Sequence, residues 1–391
     1  MAQLLGDQTL VNATGDAFKS SRLERMLTGF SASYKLYWFK GVFDEALEGN
    51  DHVPFERIAA RMIASAWYPV TYFRLNLGAS DKLEDAVNWT REVCELGPDA
   101  SKQEIVEAIL ESDDRELLRK VRNLCNFVPY RLIRPFYDDR FAAERTRYGG
   151  IRDAQINSLI FQFNRNDTDG APYRFNAERN AIEINHEWAR YFRENKHVIQ
   201  GWFDMKLVNY LQTRNPSVPA IPLKIYPPVQ RDLSAARKYW EEALADHPFK
   251  EIYSGLEFNN ENYLALGPMS IDHFVPWSFV LHDEPWNLTP MFRDINSSKG
   301  SKLPVLDSYL LPFCEQQFDA LLTLRRTGRH KKSFEAYACI DPNISYYERN
   351  DASFESFSDS LRRVIIPLHQ IALNQGFPTW QAETDYAFVG M

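Results

Sequence analysis

The sequence predicts an α+β protein, mostly helical, with a helical N-terminal region and a small strand–loop–strand–helix unit nearer the C-terminus. Three observations carry this. Apolar residues recur at helical spacing through the first third, behind a series of capping residues. A run of prolines between 216 and 228 cannot continue a helix. Beyond it, residues 269–300 read as two short strands joined by a proline-bounded loop and followed by a helix.

In chain order, SYKLYWFKGVFDEAL sets Leu36, Phe39, Phe43 and Leu47 on one helical face. FERIAARMIASAW does the same with Ile58, Met62 and Ile63, behind a Pro54 suited to a first helical turn. Capping-box starts follow at Asp81 with Glu84, Ser101 with Glu104, and Asp113 with Glu116. The last leads into RELLRKVRNL, whose Arg115, Arg119, Lys120 and Arg122 read as a solvated helix face rather than a DNA-contact face. PYRFNAERNAIEIN alternates Tyr173 and Phe175, then Ile182 and Ile184, around a polar turn, which predicts a hairpin. One long helix is expected from about His186 to Gln212. Prolines at 216, 219, 222, 227 and 228 then favour an extended segment and a domain boundary. The expected organisation is a helical regulatory or partner-binding domain at 1–150, a hairpin, helix and proline-rich linker at 151–230, a domain at 231–335 built around the strand–loop–strand–helix unit and a helical extension at 336–391.

Composition bounds the function. With 391 residues, 45% of them hydrophobic and 14% aromatic, the chain can bury a sizeable core. No apolar run approaches the roughly 18 residues needed to cross a bilayer, and the N-terminus lacks a basic segment followed by an apolar one. The four cysteines form no Cys-x-x-Cys pair, which argues against a disulfide framework and a zinc knuckle. The expectation is a soluble, cytoplasmic protein with no membrane partner. Net charge is −8. Seven acidic against two basic side chains make 251–300 strongly acidic, so any nucleic-acid partner must meet local basic patches.

The dipeptide Asp-His occurs three times, at Asp51–His52, Asp246–His247 and Asp272–His273. Only the third is followed by asparagine 15 and 24 positions beyond its aspartate, at Asn287 and Asn296. The same offsets reach Ala66 and Leu75 from Asp51, and Glu261 and Ser270 from Asp246. Such a set after one of three pairs arises by chance roughly once in a hundred. Met269 to Ile271 would be a strand ending at the pair, 274–285 a loop with Pro276 and Pro285, and Trp286 to Leu288 the return strand. Thr289 is the expected N-cap, Pro290 the first helical residue and Gly300 the stop of a helix of about ten residues.

Together, DH-x₂-P-x-S, the two asparagines and the following Ser298-Lys299-Gly300-Ser301 resemble the HNH, or ββα-metal, nuclease family. They are particularly similar to the HNH domain of RNA-guided CRISPR effector nucleases. The resemblance implies Asp272 as a metal ligand and His273 as the general base toward the attacking water, with an ordinary imidazole pKa suited to that task. It implies Asn296 as a second oxygen ligand and Asn287 as a brace that orients His273. The family often has histidine where Asn296 stands. An all-oxygen set favours Mg²⁺ or Mn²⁺ over zinc. Structural zinc is not expected, because Ile252 to Gly255 occupies the place of a first cysteine pair.

DNA is the implied substrate. Lys299 and Lys302, then Arg325, Arg326, Arg329, Lys331 and Lys332, are the candidate phosphate contacts; a solubilising surface loop is the equal alternative for that last cluster. His282 reads as a solvated loop residue. SYKLYWF, the RNPSVP segment with Lys224, and Tyr239–Trp240 are similar in flavour to prokaryotic HNH proteins found among phage-defence genes, which implies a defence effector. A protein partner or homo-oligomer lending DNA affinity or gating activity is also expected. The alternative function is a non-cleaving nucleic-acid-binding or scaffold subunit on an HNH relic.

Overall fold

The computed structural model describes residues 16–29, 32–165, 170–228, 230–328 and 330–382. The chain divides into two compact units, Met1–Pro216 with Ile221–Pro228, and Ser217–Ala220 with Val229–Met391. It changes unit three times within the proline-rich stretch.

In the first unit the periodic segments fold as helices Tyr34–Glu48 and Phe55–Trp67. Phe39 and Phe43 of the former pack edge-on against Phe192, and Phe39 also meets Trp202 and Phe203. Such rings bury large apolar areas and supply much of the core energy. Pro54 is the N-cap of Phe55–Trp67 rather than a residue of its first turn. The Ser101 hydroxyl accepts from the Glu104 N–H while the Glu104 carboxylate accepts from the Ser101 N–H, closing the capping box. Asp81 caps by accepting from the Leu83 N–H, but Glu84 accepts from the Leu77 N–H instead of closing the expected box, and Asp114 rather than Asp113 caps the helix Arg115–Leu124. There Lys120 pairs with Asp85 and Arg119 with Glu116, so local carboxylates satisfy part of that basic face.

The expected hairpin is present as β2 (Tyr173–Phe175) and β3 (Ala181–Ile184), and β1 (His52–Pro54) adds a third strand in the order β1-β3-β2. The expected long helix is two, His186–Glu194 and Lys196–Arg214. They part at Asn195, whose side-chain amide and backbone N–H both donate to the Tyr191 carbonyl. A short amide satisfying the last turn lets the helix stop.

In the second unit, β4 (Met269–His273) pairs antiparallel with β5 (Leu288–Phe292), Met269 opposite Phe292 and His273 opposite Leu288. The helix Arg293–Lys299 follows directly. Thr289 and Pro290 therefore lie in β5, not at a helix start, and the helix has seven residues, not about ten. Pro290 is tolerated because, among the described residues, β5 pairs only with β4 and needs no ladder donor on its outer side. The Thr289 hydroxyl donates to the Gln316 side-chain carbonyl instead of capping. Gly300 stops the helix as expected. Residues 274–285 contain one helical turn, Trp277–Val280. The helix Leu306–Thr327 lies along the hairpin: Gln317 donates to the Leu288 carbonyl at 2.6 Å, and Phe313 stacks on Phe274 at 4.1 Å. β6 (Leu303–Pro304) pairs in parallel with β7 (Thr379–Trp380). Among the described residues no helix is long and apolar enough to cross a membrane.

Candidate active site

Gly267 turns the chain into β4 with φ +80°, a conformation that favours glycine, and a Cβ there would press on the Arg293 side chain at 3.0 Å. Along β4 the pleat alternates. Ser270 and Asp272 face the helix 293–299, and His273 projects to the other side. On that helix Asn296 and Lys299 are three apart, hence on one face. That face meets β4: the Asn296 amide donates to the Ser270 hydroxyl at 2.9 Å, and Lys299 reaches Asp272. Asn287, fully buried, accepts the Val275 N–H at 2.9 Å and donates to the Val275 carbonyl at 2.9 Å, while its own carbonyl accepts from Phe274. Asn287 therefore clamps the first two residues after His273 to the end of β5.

The Asp272 side is a buried ionic network. Asp272 is 5% exposed, and its Oδ2 lies 2.9 Å from the ammonium of Lys299, which is 0% exposed and also donates to the His273 carbonyl at 2.9 Å. The Tyr253 hydroxyl approaches the same Oδ2 at 3.4 Å, and its ring packs against Tyr309 and Trp380. Next to it lies Glu251, also fully buried. Its Oε2 accepts from the Tyr253 and Ser254 amides and the Ser254 hydroxyl, closing the turn 251–255, while Oε1 has no partner. Burial, aided by the Asp272 charge, outweighs those hydrogen bonds and raises the Glu251 carboxyl to about 7.

Among the described residues no three His, Cys, Asp or Glu side chains gather as a metal cage. The donors near β4 fit a hard cation that keeps most of its water. Asp272 Oδ1 and Asn296 Oδ1 accept from no protein donor among the described residues, since Tyr253 and Lys299 use Oδ2 and Asn296 spends only its amide nitrogen.

The His273 side is a hydrogen-bonded chain. His273 Nε2 lies 2.7 Å from Asp283 Oδ1, and its Nδ1 lies 3.4 Å from the Arg231 guanidinium. Burial works against the Asp283 carboxylate, but the His273 hydrogen bond, then the His273 and Arg231 charges, outweigh it and hold Asp283 below the usual carboxylate range. An ionised carboxylate only accepts, and a guanidinium only donates. In the neutral imidazole, Nε2 therefore carries the proton and Nδ1 the lone pair. Arg231 lies over the Trp277 ring, 4.6 Å from its centroid. His282 is half-buried against Trp286 rather than solvated, and burial pushes it down to about 4.

The basic residues separate. Lys299 is no surface phosphate contact: it is buried, because Asp272 needs a counter-charge out of water. Lys302 is half-buried and donates to the Ser298 carbonyl. Arg325 donates to the Ser345 carbonyl and Arg326 pairs with Asp246. Lys331 and Lys332 are exposed at the start of the helix Lys331–Ala338. Arg329 lies outside the described residues. The other two Asp-His pairs have structural places: His52 opposite Glu183 in the first sheet, and His247 at a helix end 3.5 Å from Asp319.

Four neighbours of the pair escaped the sequence reading: Arg231, Glu251, Tyr253 and Asp283. Asp283 alone carried a local signal, an acid ten positions past the histidine in the same loop.

Residues 251–305 match the family model of the HNH endonucleases, which supports an HNH-family protein, nuclease activity in general and a nucleic-acid substrate. No curated protein and no solved structure matches the chain.

Proposed function

We propose that the chain is a metal-dependent endonuclease that hydrolyses DNA phosphodiester bonds, with His273 as general base. The observation that carries the reading is the 2.7 Å contact of Asp283 with His273 Nε2, which leaves Nδ1 basic one residue from Asp272. HNH nucleases are generally dependent on a divalent metal. Asp272 and Asn296 would hold Mg²⁺ or Mn²⁺, which when bound polarises the scissile phosphate and stabilises the developing oxyanion. Nδ1 takes a proton from water as the water oxygen bonds to phosphorus. The bond from phosphorus to the 3′-oxygen breaks, and that oxygen takes a proton from solvent. Asp283 stabilises the imidazolium so formed, and Asn287 keeps the imidazole from swinging with its loop. Exposed Lys331 and Lys332 would extend the phosphate track. Gln316, beside Thr289, and Arg326 share one helix, and their ten-residue separation spans about 15 Å.

Cleavage of supercoiled, linear and single-stranded DNA and of RNA, each with Mg²⁺, Mn²⁺ or EDTA, tests the proposal. Asp272→Ala and Asn296→Ala should lose metal affinity and activity together, and His273→Ala should lose activity alone. Cleavage that survives His273→Ala sinks the assignment. A second reading, a non-cleaving nucleic-acid-binding subunit, is favoured by one observation: the Lys299 ammonium already neutralises Asp272. Absence of cleavage under every condition, with DNA still bound, selects it.

A further inference from the structure

We infer that Arg231 binds the scissile phosphate and, before substrate arrives, covers the basic nitrogen of His273; the second half of this rests on His273 being the base. Arg231 lies outside the matched residues 251–305 and 42 positions from His273, yet its guanidinium stands 3.4 Å from Nδ1. That is the place an attacking water must take, so the cation is within one water of the phosphorus to be attacked. The contact is long for a hydrogen bond, and its acceptor is neutral. Among the described residues Arg231 makes no other hydrogen bond, so most of its five N–H donors are uncommitted.

The side chain is aimed all the same. Its guanidinium lies over Trp277, whose helical turn begins after Pro276 and sits beyond the Val275 that Asn287 clamps. A residue held by ring stacking on one face and by a weak bond at its edge can trade that bond for a stronger one without leaving the ring. A phosphodiester offers two non-bridging oxygens that share one negative charge at the spacing of the guanidinium fork, and charge-assisted bonds are the stronger kind. Substrate binding thus draws Arg231 off Nδ1 and clears the lone pair for water. With 251–300 strongly acidic, a cation supplied from upstream is also what lets a phosphate approach Asp272.

The test uses the full chain with Arg231→Met, Arg231→Lys and Arg231→Ala. Binding of a labelled DNA duplex, followed by anisotropy in EDTA across a salt series, should weaken about 3–10-fold in Arg231→Met, and the salt slope should become shallower by about one. Cleavage efficiency should fall about 100-fold or more. Arg231→Lys should recover binding but only part of the rate, because a lysine offers no fork. Free guanidinium added to Arg231→Ala should restore rate, which a packing role would not allow. Unchanged DNA affinity and salt slope in Arg231→Met overturn the phosphate contact, whether or not the enzyme cleaves. Weakened binding in a chain that never cleaves keeps the contact and fails the base assignment. No DNA binding by the wild type overturns both.

Discussion

Replacing Lys299 by methionine should destabilise the second unit by about 3–5 kcal/mol. The estimate starts from the geometry: opposite charges 2.9 Å apart at an effective dielectric of about 20 attract by about 6 kcal/mol. Much of that is consumed in taking both ions out of water, since Lys299 is 0% exposed and Asp272 only 5%. Removing one partner alone leaves Asp272 with the desolvation cost and no compensation, and the His273 carbonyl loses its donor. Amide hydrogen exchange across β4 and β5, read by mass spectrometry, reports the opening free energy of that hairpin. Lys299→Met should lower it, and Asp272→Asn combined with Lys299→Met should recover most of the loss. Mg²⁺ alone should protect Lys299→Met more than the wild type, because the carboxylate then lacks its internal cation, and should leave the double variant unmoved. Protection in Lys299→Met within 0.5 kcal/mol of wild type, or a double variant as weak as the single one, would refute the reasoning.

Asp283→Asn should reduce cleavage about 100-fold or more with little change in DNA affinity, since an amide can donate to Nε2 and move the proton to Nδ1; equal turnover would show that the tautomer does not matter. Asn287→Ala should cost about 2–4 kcal/mol by orphaning the Val275 N–H and carbonyl, seen as a lower melting temperature; an unchanged one would mean the loop is held elsewhere. Two groups give opposite pH slopes. Glu251, raised to about 7 from an ordinary 4.5, contributes stability below 4.5 that is lost as pH rises through 7. His282, lowered to about 4 from 6.5, contributes stability above 6.5 that is lost as pH falls through 4. Urea melts of Glu251→Gln should thus lose the decline between pH 4.5 and 7, and those of His282→Asn the decline below 6.5; parallel pH profiles in wild type and variants would contradict both assignments.

The pair at Asp272 could be picked out from sequence because its informative neighbours lie within one hairpin and helix, where fixed spacing means fixed geometry. Asn296 and Lys299 share a helical face, and Asn287 ends the turn that brings β5 back. Thr289 and Pro290 misled because proline suits both a first helical turn and an unpaired strand edge, and a residue far along the chain, Gln316, decides between them. Lys299 looked like surface because its burial depends on Asp272 being buried with it. Arg231 and Glu251 carry no periodicity relative to β4. Only tertiary folding brings them to it, so no local rule could have nominated them. The break at Asn195 was missed for a smaller reason, one side-chain amide competing with the helix for the Tyr191 carbonyl.

The parallel pairing of Leu303–Pro304 with Thr379–Trp380 brings a segment made about 75 residues later against the candidate site. Trp380 forms one wall for Tyr253 and donates to the Ser298 hydroxyl at 3.3 Å, so the chain around Asp272 is unfinished until residue 380 is in place. During synthesis the ribosome adds residues at about 5–20 per second, which leaves about 4–15 s between making Pro304 and making Trp380. Through that interval the nascent chain holds Asp272 and His273 without the wall that organises them. A chain cut before Thr379 lacks both the strand that pairs with Leu303–Pro304 and the Trp380 ring that packs on Tyr253. Transplanting residues 251–305 into another protein would, for the same reason, carry over the chemistry without the architecture that positions it.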